Sequence, residues 1–349
     1  MAGITYKCPN CGAYLTFDPD SQQWKCPFCS SAFPESELKG KAEAFQKEAD
    51  KEAEQSSGAQ VVYHCPSCGS EIMTDETTVA THCYYCHSPV VLQGKLTADM
   101  KPDEVLPFTI GREKAIEEIS EWIRTRKFVP KKFFSKAQIQ EMSGVYYPHF
   151  VSECQTEGVL DGEATTSDVF DEGKYVVTNT RHYHVRREGR FVFKDILRPA
   201  LSKANRKLTE GVHPFPLEDA KPFSGAFLSG FLAERRDLEA DSYRQEIEQE
   251  LQGYMNSMLR DTASQYETCS ASTSSAMKNI KTKYVLLPTW VLTYPNKKNK
   301  DEPYYYVMNG CTGQVCGKLP VDMGRLWRHG LLAGLIVAAL YCVLAYFLF

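Results

Sequence analysis

Eight cysteines near the start of the chain are the residues best able to do chemistry. They form two quartets, Cys8, Cys11, Cys26 and Cys29, then Cys65, Cys68, Cys83 and Cys86, each with two residues inside a pair and fourteen between pairs. Two thiolates separated by two residues fit on one tight turn with both sulfurs aimed at a common point. Two such turns close a tetrahedral S4 site for zinc. Gly12 and Gly69 follow the second cysteine of their pairs and let the chain curl so that N–H groups approach sulfur, while Pro9, Pro27 and Pro66 stiffen the turns. A shift of 57 residues carries one quartet onto the other and also matches Tyr6 with Tyr63, Pro9 with Pro66, Gly12 with Gly69 and Asp18 with Asp75, an internal duplication. The expectation is two structural zinc ions per chain, because four protein ligands leave no open position for a catalytic water. A disulfide framework is the rival; it needs an oxidising compartment, and the opening MAGITYKCPN has no apolar run to direct secretion.

Little else has the spacing of a reactive site. His64, His82 and His87 flank ligands and read as bystanders, and His182 and His184 share a strand face without a third ligand. Cys154, Cys269, Cys311, Cys316 and Cys342 are scattered and read as packing residues. There is no Walker A sequence, no G-x-G-x-x-G and no H-E-x-x-H, and Gly317-Lys318 lacks the upstream glycine spacing and the Ser/Thr of a phosphate-binding loop. The chain is therefore read as non-enzymatic.

The elements that must position the cysteines follow from composition and pattern. With 349 residues, 43% hydrophobic and 24% charged, the chain is long enough for several folded domains, and its net charge of −4 gives no global attraction to nucleic acid or anionic lipid. Residues 1–34 read as a first zinc ribbon, with strands near Tyr14–Phe17 and Gln23–Lys25 and a small core of Trp24 and Phe33. Residues 35–60 read as a charged helical linker, 61–93 as the second ribbon, and 94–320 as an α+β region with antiparallel strands and two main helices. The first helix lies within 105–129 and carries Ile116, Ile119, Trp122 and Ile123 on one face; the second covers about 231–262 with Ile247, Leu251, Tyr254 and Met258 inward. Val145–Val151 and Val285–Val291 share a strand pattern with an internal proline, at a shift of 140 residues, and Pro107-Phe108 is echoed by Pro222-Phe223, which suggests a second duplication. Residues 174–197 read as a hairpin turning at Glu188-Gly189, and 284–294 with 303–309 as a strand pair. After a juxtamembrane segment, 321–330, residues 331–349 carry no charge and are expected to form a single transmembrane helix at the cell membrane. Arg325 and Arg328 would then keep the N-terminal region cytoplasmic.

Two basic runs bear on partners. Residues 124–136 hold six Lys/Arg and no acid; residues 181–207 hold nine, against Glu188 and Asp195, interleaved with Tyr183, Phe191 and Phe193. Aromatics among cations suit single-stranded nucleic acid, lipid headgroups, or simply a solvated sheet face.

The motifs CPNCG and CPFC, VYYPHF, FLSGFLAERRD at 227–237, LLPTW and NGCTGQVCGKLP at 309–320 resemble a bacterial family of zinc-ribbon membrane proteins, often labelled primosomal helicase-like or transcription-factor-type zinc ribbon. Only the ribbons could prompt the helicase label. The resemblance implies partners among phage-shock-type and flotillin-type membrane proteins, and hence a membrane-anchored adaptor or scaffold. Many members carry more than one membrane span, where this chain shows one. The alternative reading is a membrane-tethered nucleic-acid binder related to replication or transcription.

Overall fold

The computed structural model describes residues 6–38, 63–64, 71–72, 77–82, 89–91, 100–126, 128–130, 142–294, 304–317, 319 and 321–348. Near the N-terminus, β1 (Thr16–Asp18), β2 (Gln23–Lys25) and β3 (Ala32–Phe33) form a three-stranded antiparallel sheet. Two short hairpins follow, β4 (Tyr63–His64) with β5 (Glu71–Ile72) and β6 (Thr78–His82) with β7 (Pro89–Val91). Next come β8 (Glu104–Val105) and α1 (Arg112–Arg124), which buries Ala115 and Ile119 and packs Ile116, Trp122 and Ile123 against the core.

The centre is organised by long strands rather than by an even mix of helix and strand. β9 (Ser143–Glu172) has 30 residues, β10 (Tyr175–Pro199) has 25, and β13 (Thr268–Tyr294) has 27. β9 lies between the other two, antiparallel to both. Between β10 and β13 the chain forms α2 (Arg206–Glu210), β11 (Lys221–Pro222), β12 (Leu232–Glu234) and α3 (Arg244–Asp261). β14 (Tyr304–Asn309) and β15 (Val315–Gly317) extend the sheet beside β13, and α4 (Met323–Leu348) closes the chain. The large sheet has ten strands, and β8 and β12 enter it parallel to β13 and β9. The expected α+β balance is thus corrected to a mostly β architecture.

The two proline-containing strand segments lie side by side: Tyr146 pairs with Pro288 and Pro148 with Leu286. Each proline still offers its carbonyl outward, Pro148 to the Ala200 N–H and Pro288 to the Gly310 N–H, both at 2.9 Å. Pro222 pairs beside Glu104, whereas Phe108 stacks on Phe231 with ring centroids 4.3 Å apart.

Two local expectations are corrected. The hairpin turns at Gly173-Lys174, where Gly173 has φ +66°, and Glu188-Gly189 sits within β10 opposite Val159 and Gly158. α3 begins at Arg244, and its inward row is Ile247, Leu251, Met255 and Leu259; Tyr254 and Met258 are exposed. A row spaced by four keeps pace with the twisted strands beneath it, and the mixed spacing of the expected face does not.

The C-terminal expectation is corrected as well. Among the described residues no helix is long and apolar enough to cross a membrane. α4 opens with Arg325, Arg328 and His329. Its first turn is tied to the body, with Asp322 N–H donating to Phe128 O at 2.7 Å and Arg325 Nη1 to Val129 O at 3.1 Å. The transmembrane helix, the single-pass placement at the cell membrane and the cytoplasmic orientation derived from it therefore do not stand.

Candidate metal centre

The first quartet comes together as its spacing predicts. The sulfurs of Cys8, Cys11, Cys26 and Cys29 all lie within 4.8 Å of one another. Cys8 to Cys29 is 3.5 Å, Cys11 to Cys26 3.4 Å and Cys11 to Cys29 3.6 Å. A regular tetrahedron with bonds of about 2.3 Å has sulfur–sulfur edges of about 3.8 Å, so the donor set fits a four-coordinate metal ion. Among the described residues this is the one cluster of three or more metal-ligating side chains.

Two turns of the same construction carry the ligands. Cys8 N–H donates to Ala13 O at 2.7 Å and Gly12 N–H to Cys8 O at 2.9 Å. In the other turn Cys26 N–H donates to Ser31 O at 2.8 Å and Ser30 N–H to Cys26 O at 2.9 Å. Both need a left-handed residue after the second cysteine, supplied by Gly12 at φ +76° and by Ser30 at φ +58°. Sequence reasoning recognised the glycine and missed the serine, whose small polar side chain tolerates that region less well. Ser31 adds polarity. Its hydroxyl, then its N–H, together with the Cys26 and Cys8 sulfurs, holds the Cys29 thiol down at about 6. At Cys11 the Ala13 N–H lowers the pKa, but the Cys26 sulfur, desolvation and the Cys29 and Cys8 sulfurs outweigh it and push the thiol up to about 12. Four sulfurs this close cannot all ionise without a cation between them.

The module is seated on the body rather than tethered to it. Trp24 is 1% exposed, donates Nε1 to Ala226 O at 3.0 Å, and packs its ring 5.3 Å from Phe227 and 5.1 Å from Phe17. Ser229 donates Oγ to Leu15 O at 2.6 Å and accepts the Phe17 N–H at its carbonyl at 3.0 Å. Gln22 Nε2 reaches Phe108 O at 2.8 Å. The FLSGF part of the 227–237 motif is therefore the seat of the ribbon. Leu15, Phe17 and Trp24 share one continuous core with Phe108, Tyr146 and Trp290. On the outer side Cys11 and Cys29 are exposed, and Phe28 is 80% exposed.

Cys65, Cys68, Cys83 and Cys86 lie outside the described residues, as do His87 and most of the 35–60 linker. Their flanking strands are described. In the first module Lys7 pairs with Tyr14, Lys25 with Ala32 and Trp24 with Phe33; around the second quartet His64 pairs with Glu71, His82 with Pro89 and Thr81 with Val90. Each second pair is the first displaced by 57 residues, the shift that relates the quartets.

The other sequence candidates are dispersed. Basic residues of 181–207 face acids: Arg181 with Asp168 at 2.9 Å, His184 with Asp161 at 3.0 Å, Arg190 with Glu157 at 3.1 Å, and Arg198 with Glu246 at 3.2 Å and with Glu250. Of the run 124–136, residues 124–126 and 128–130 are described, and Arg126 lies over the Trp122 ring. Cys311 and Cys316 pack at the edge of the apolar layer formed by Leu106, Val212 and Val307.

Comparison with known proteins adds one relative. The chain is 28% identical over 343 residues to a Bacillus subtilis (strain 168) protein described as uncharacterized protein YdjG. The match spans 96% of each chain. No family model matches, and no solved structure matches.

Proposed function

We propose that the protein is a non-enzymatic adaptor in which zinc-bound ribbons, seated on a β body, present their outer turns to a protein partner. Zinc is the ion inferred because four thiolates at tetrahedral spacing suit it, and it would supply a closed structural crosslink. The repeated strand pairing around the second quartet extends the inference to a second ion. One observation carries the adaptor reading: Phe28, between ligands Cys26 and Cys29, is 80% exposed, while Trp24 on the same module is 1% exposed. A large aromatic held out on a metal-clamped turn is a contact surface with little entropy left to lose. Partners of the phage-shock or flotillin type are the class that the sequence resemblance suggests. Nucleic acid is disfavoured because six of the nine cations of 181–207 pair with acids: Arg181, Arg186, Arg190, Arg198, Lys203 and Arg206.

The test is crosslinking of the full chain, with a photoreactive group beside Phe28, followed by mass spectrometry, in wild type and Phe28→Ser. The expected result is a discrete protein adduct that the substitution removes while zinc content is unchanged. An adduct set indifferent to Phe28→Ser, or salt-dependent binding of single-stranded DNA, would overturn the reading.

A further inference from the structure

The distal end of the long sheet holds an open strand edge. β13 stops at Thr268, opposite Thr165, so Thr166–Glu172 of β9 pairs with β10 on one side and, among the described residues, has no strand on the other. Thr165 directs its carbonyl toward the open side, where it accepts the Glu267 N–H at 2.9 Å. By the alternation of a strand, Ser167, Val169 and Asp171 direct their N–H and C=O groups to that same side. The hairpin carries Val169, Phe170, Tyr175 and Val176 at 50–77% exposure. It extends about 23 Å past the end of β13. A two-stranded ribbon with apolar side chains on both faces is marginal in water, and an unpaired edge is a template for another strand.

We propose that Thr166–Glu172 is a docking edge for an extended, basic, β-forming segment of a partner protein, which adds as the next strand in the line that β13 leaves. The charge defines the occupant. Among the described residues Asp171 and Glu172 on the edge and Glu267 at its inner end have no ion pair, while Asp168 is held by Arg181 at 2.9 Å. A second copy using this edge would bring Glu172 against the Glu267 region of its mate, like against like, which disfavours self-pairing. An incoming strand with Lys or Arg at alternate positions sets its cations on one face beside Asp171 and its apolar residues on the other beside Phe170. This surface is separate from the ribbon turn that carries the proposed function and stands or falls independently of it.

The experiment titrates full-length protein into a fluorescein-labelled peptide of four Lys-Val repeats, with four Glu-Val repeats as the control, and reads anisotropy. Basic peptide should bind and acidic peptide should not. Val169→Pro removes one N–H from the open side and none from the β9–β10 ladder, so it should weaken binding by about tenfold or more with an unchanged circular dichroism spectrum. Asp171→Lys with Glu172→Lys should reverse the preference between the peptides, and Phe28→Ser should leave it unaltered. Equal binding of both peptides, indifference to Val169→Pro, or concentration-dependent self-association that Val169→Pro abolishes would each overturn the assignment.

Discussion

β9 and β13 run side by side through two environments. At the base, where Tyr146 faces Pro288 and Pro148 faces Leu286, both sides of the sheet are covered: Phe108, Phe231 and Trp290 on one, Val212, Phe215 and Leu287 on the other. Further out, among the described residues, only α3 covers a face, through Met255 and Leu259 on Leu160 and Ala164, and the opposite face holds Asp161, Glu157, Arg186 and Arg190 in cross-strand pairs. At the tip neither face is covered by any of the described residues, and Val169, Phe170, Tyr175 and Val176 are exposed. The same backbone ladder is thus held by packing at one end and by register alone at the other. Stability should concentrate at the base, leaving the outer half free for contacts.

Substitutions sharpen that contrast in descending order. Trp24→Ala removes the ring that joins the ribbon to Phe227 and strands the Ala226 carbonyl, and should cost about 3–5 kcal/mol in chemical denaturation. Asn309 is fully buried at the base, donates to Val212 O and Pro214 O, both at 2.9 Å, and accepts the Cys311 and Thr312 N–H groups. Asn309→Ala should cost about 3 kcal/mol by the same measurement.

The base should also be acid-sensitive. Burial holds His149 down to about 4, with Nδ1 3.2 Å from Tyr147 O and Nε2 without a partner. An imidazole of ordinary pKa about 6.5 in the unfolded chain binds protons that the native one refuses, so stability is intact above pH 6.5 and falls as pH drops toward 4. The contribution lost by pH 5 is about 2 kcal/mol, read as the difference between urea midpoints at pH 7 and pH 5, and His149→Gln should shrink it. At the other extreme, Val169→Thr at the tip should change stability by less than about 0.5 kcal/mol. A loss as large as that of Asn309→Ala would dissolve the distinction between the two ends.

The sequence was informative where a pattern is set by local chemistry. Cys8, Cys11, Cys26 and Cys29 declared their turn geometry through spacing, and Ile116 and Ile119 declared the inner face of α1. It was misleading where tertiary context decides. Glu188-Gly189 has the composition of a turn, yet the ladder runs through it and turns at Gly173-Lys174, where left-handed φ is required. Residues 152–172 carry too many acids and hydroxyls to read as strand because their charges are answered across the sheet by β10 and by Lys278, partners invisible to a local pattern. The left-handed conformation at Ser30 and the seating of Trp24 under Ala226 depend on chain segments that only the fold brings together.

The central claim is that the paired cysteine turns hold metal, one ion to each quartet. Elemental analysis of the purified full chain, in wild type and Cys8→Ser, tests it most directly. The account predicts two zinc ions per chain in wild type and one in Cys8→Ser, since three thiolates retain a structural ion far less well than four. Wild-type protein without metal, or a zinc content unchanged by Cys8→Ser, would contradict it.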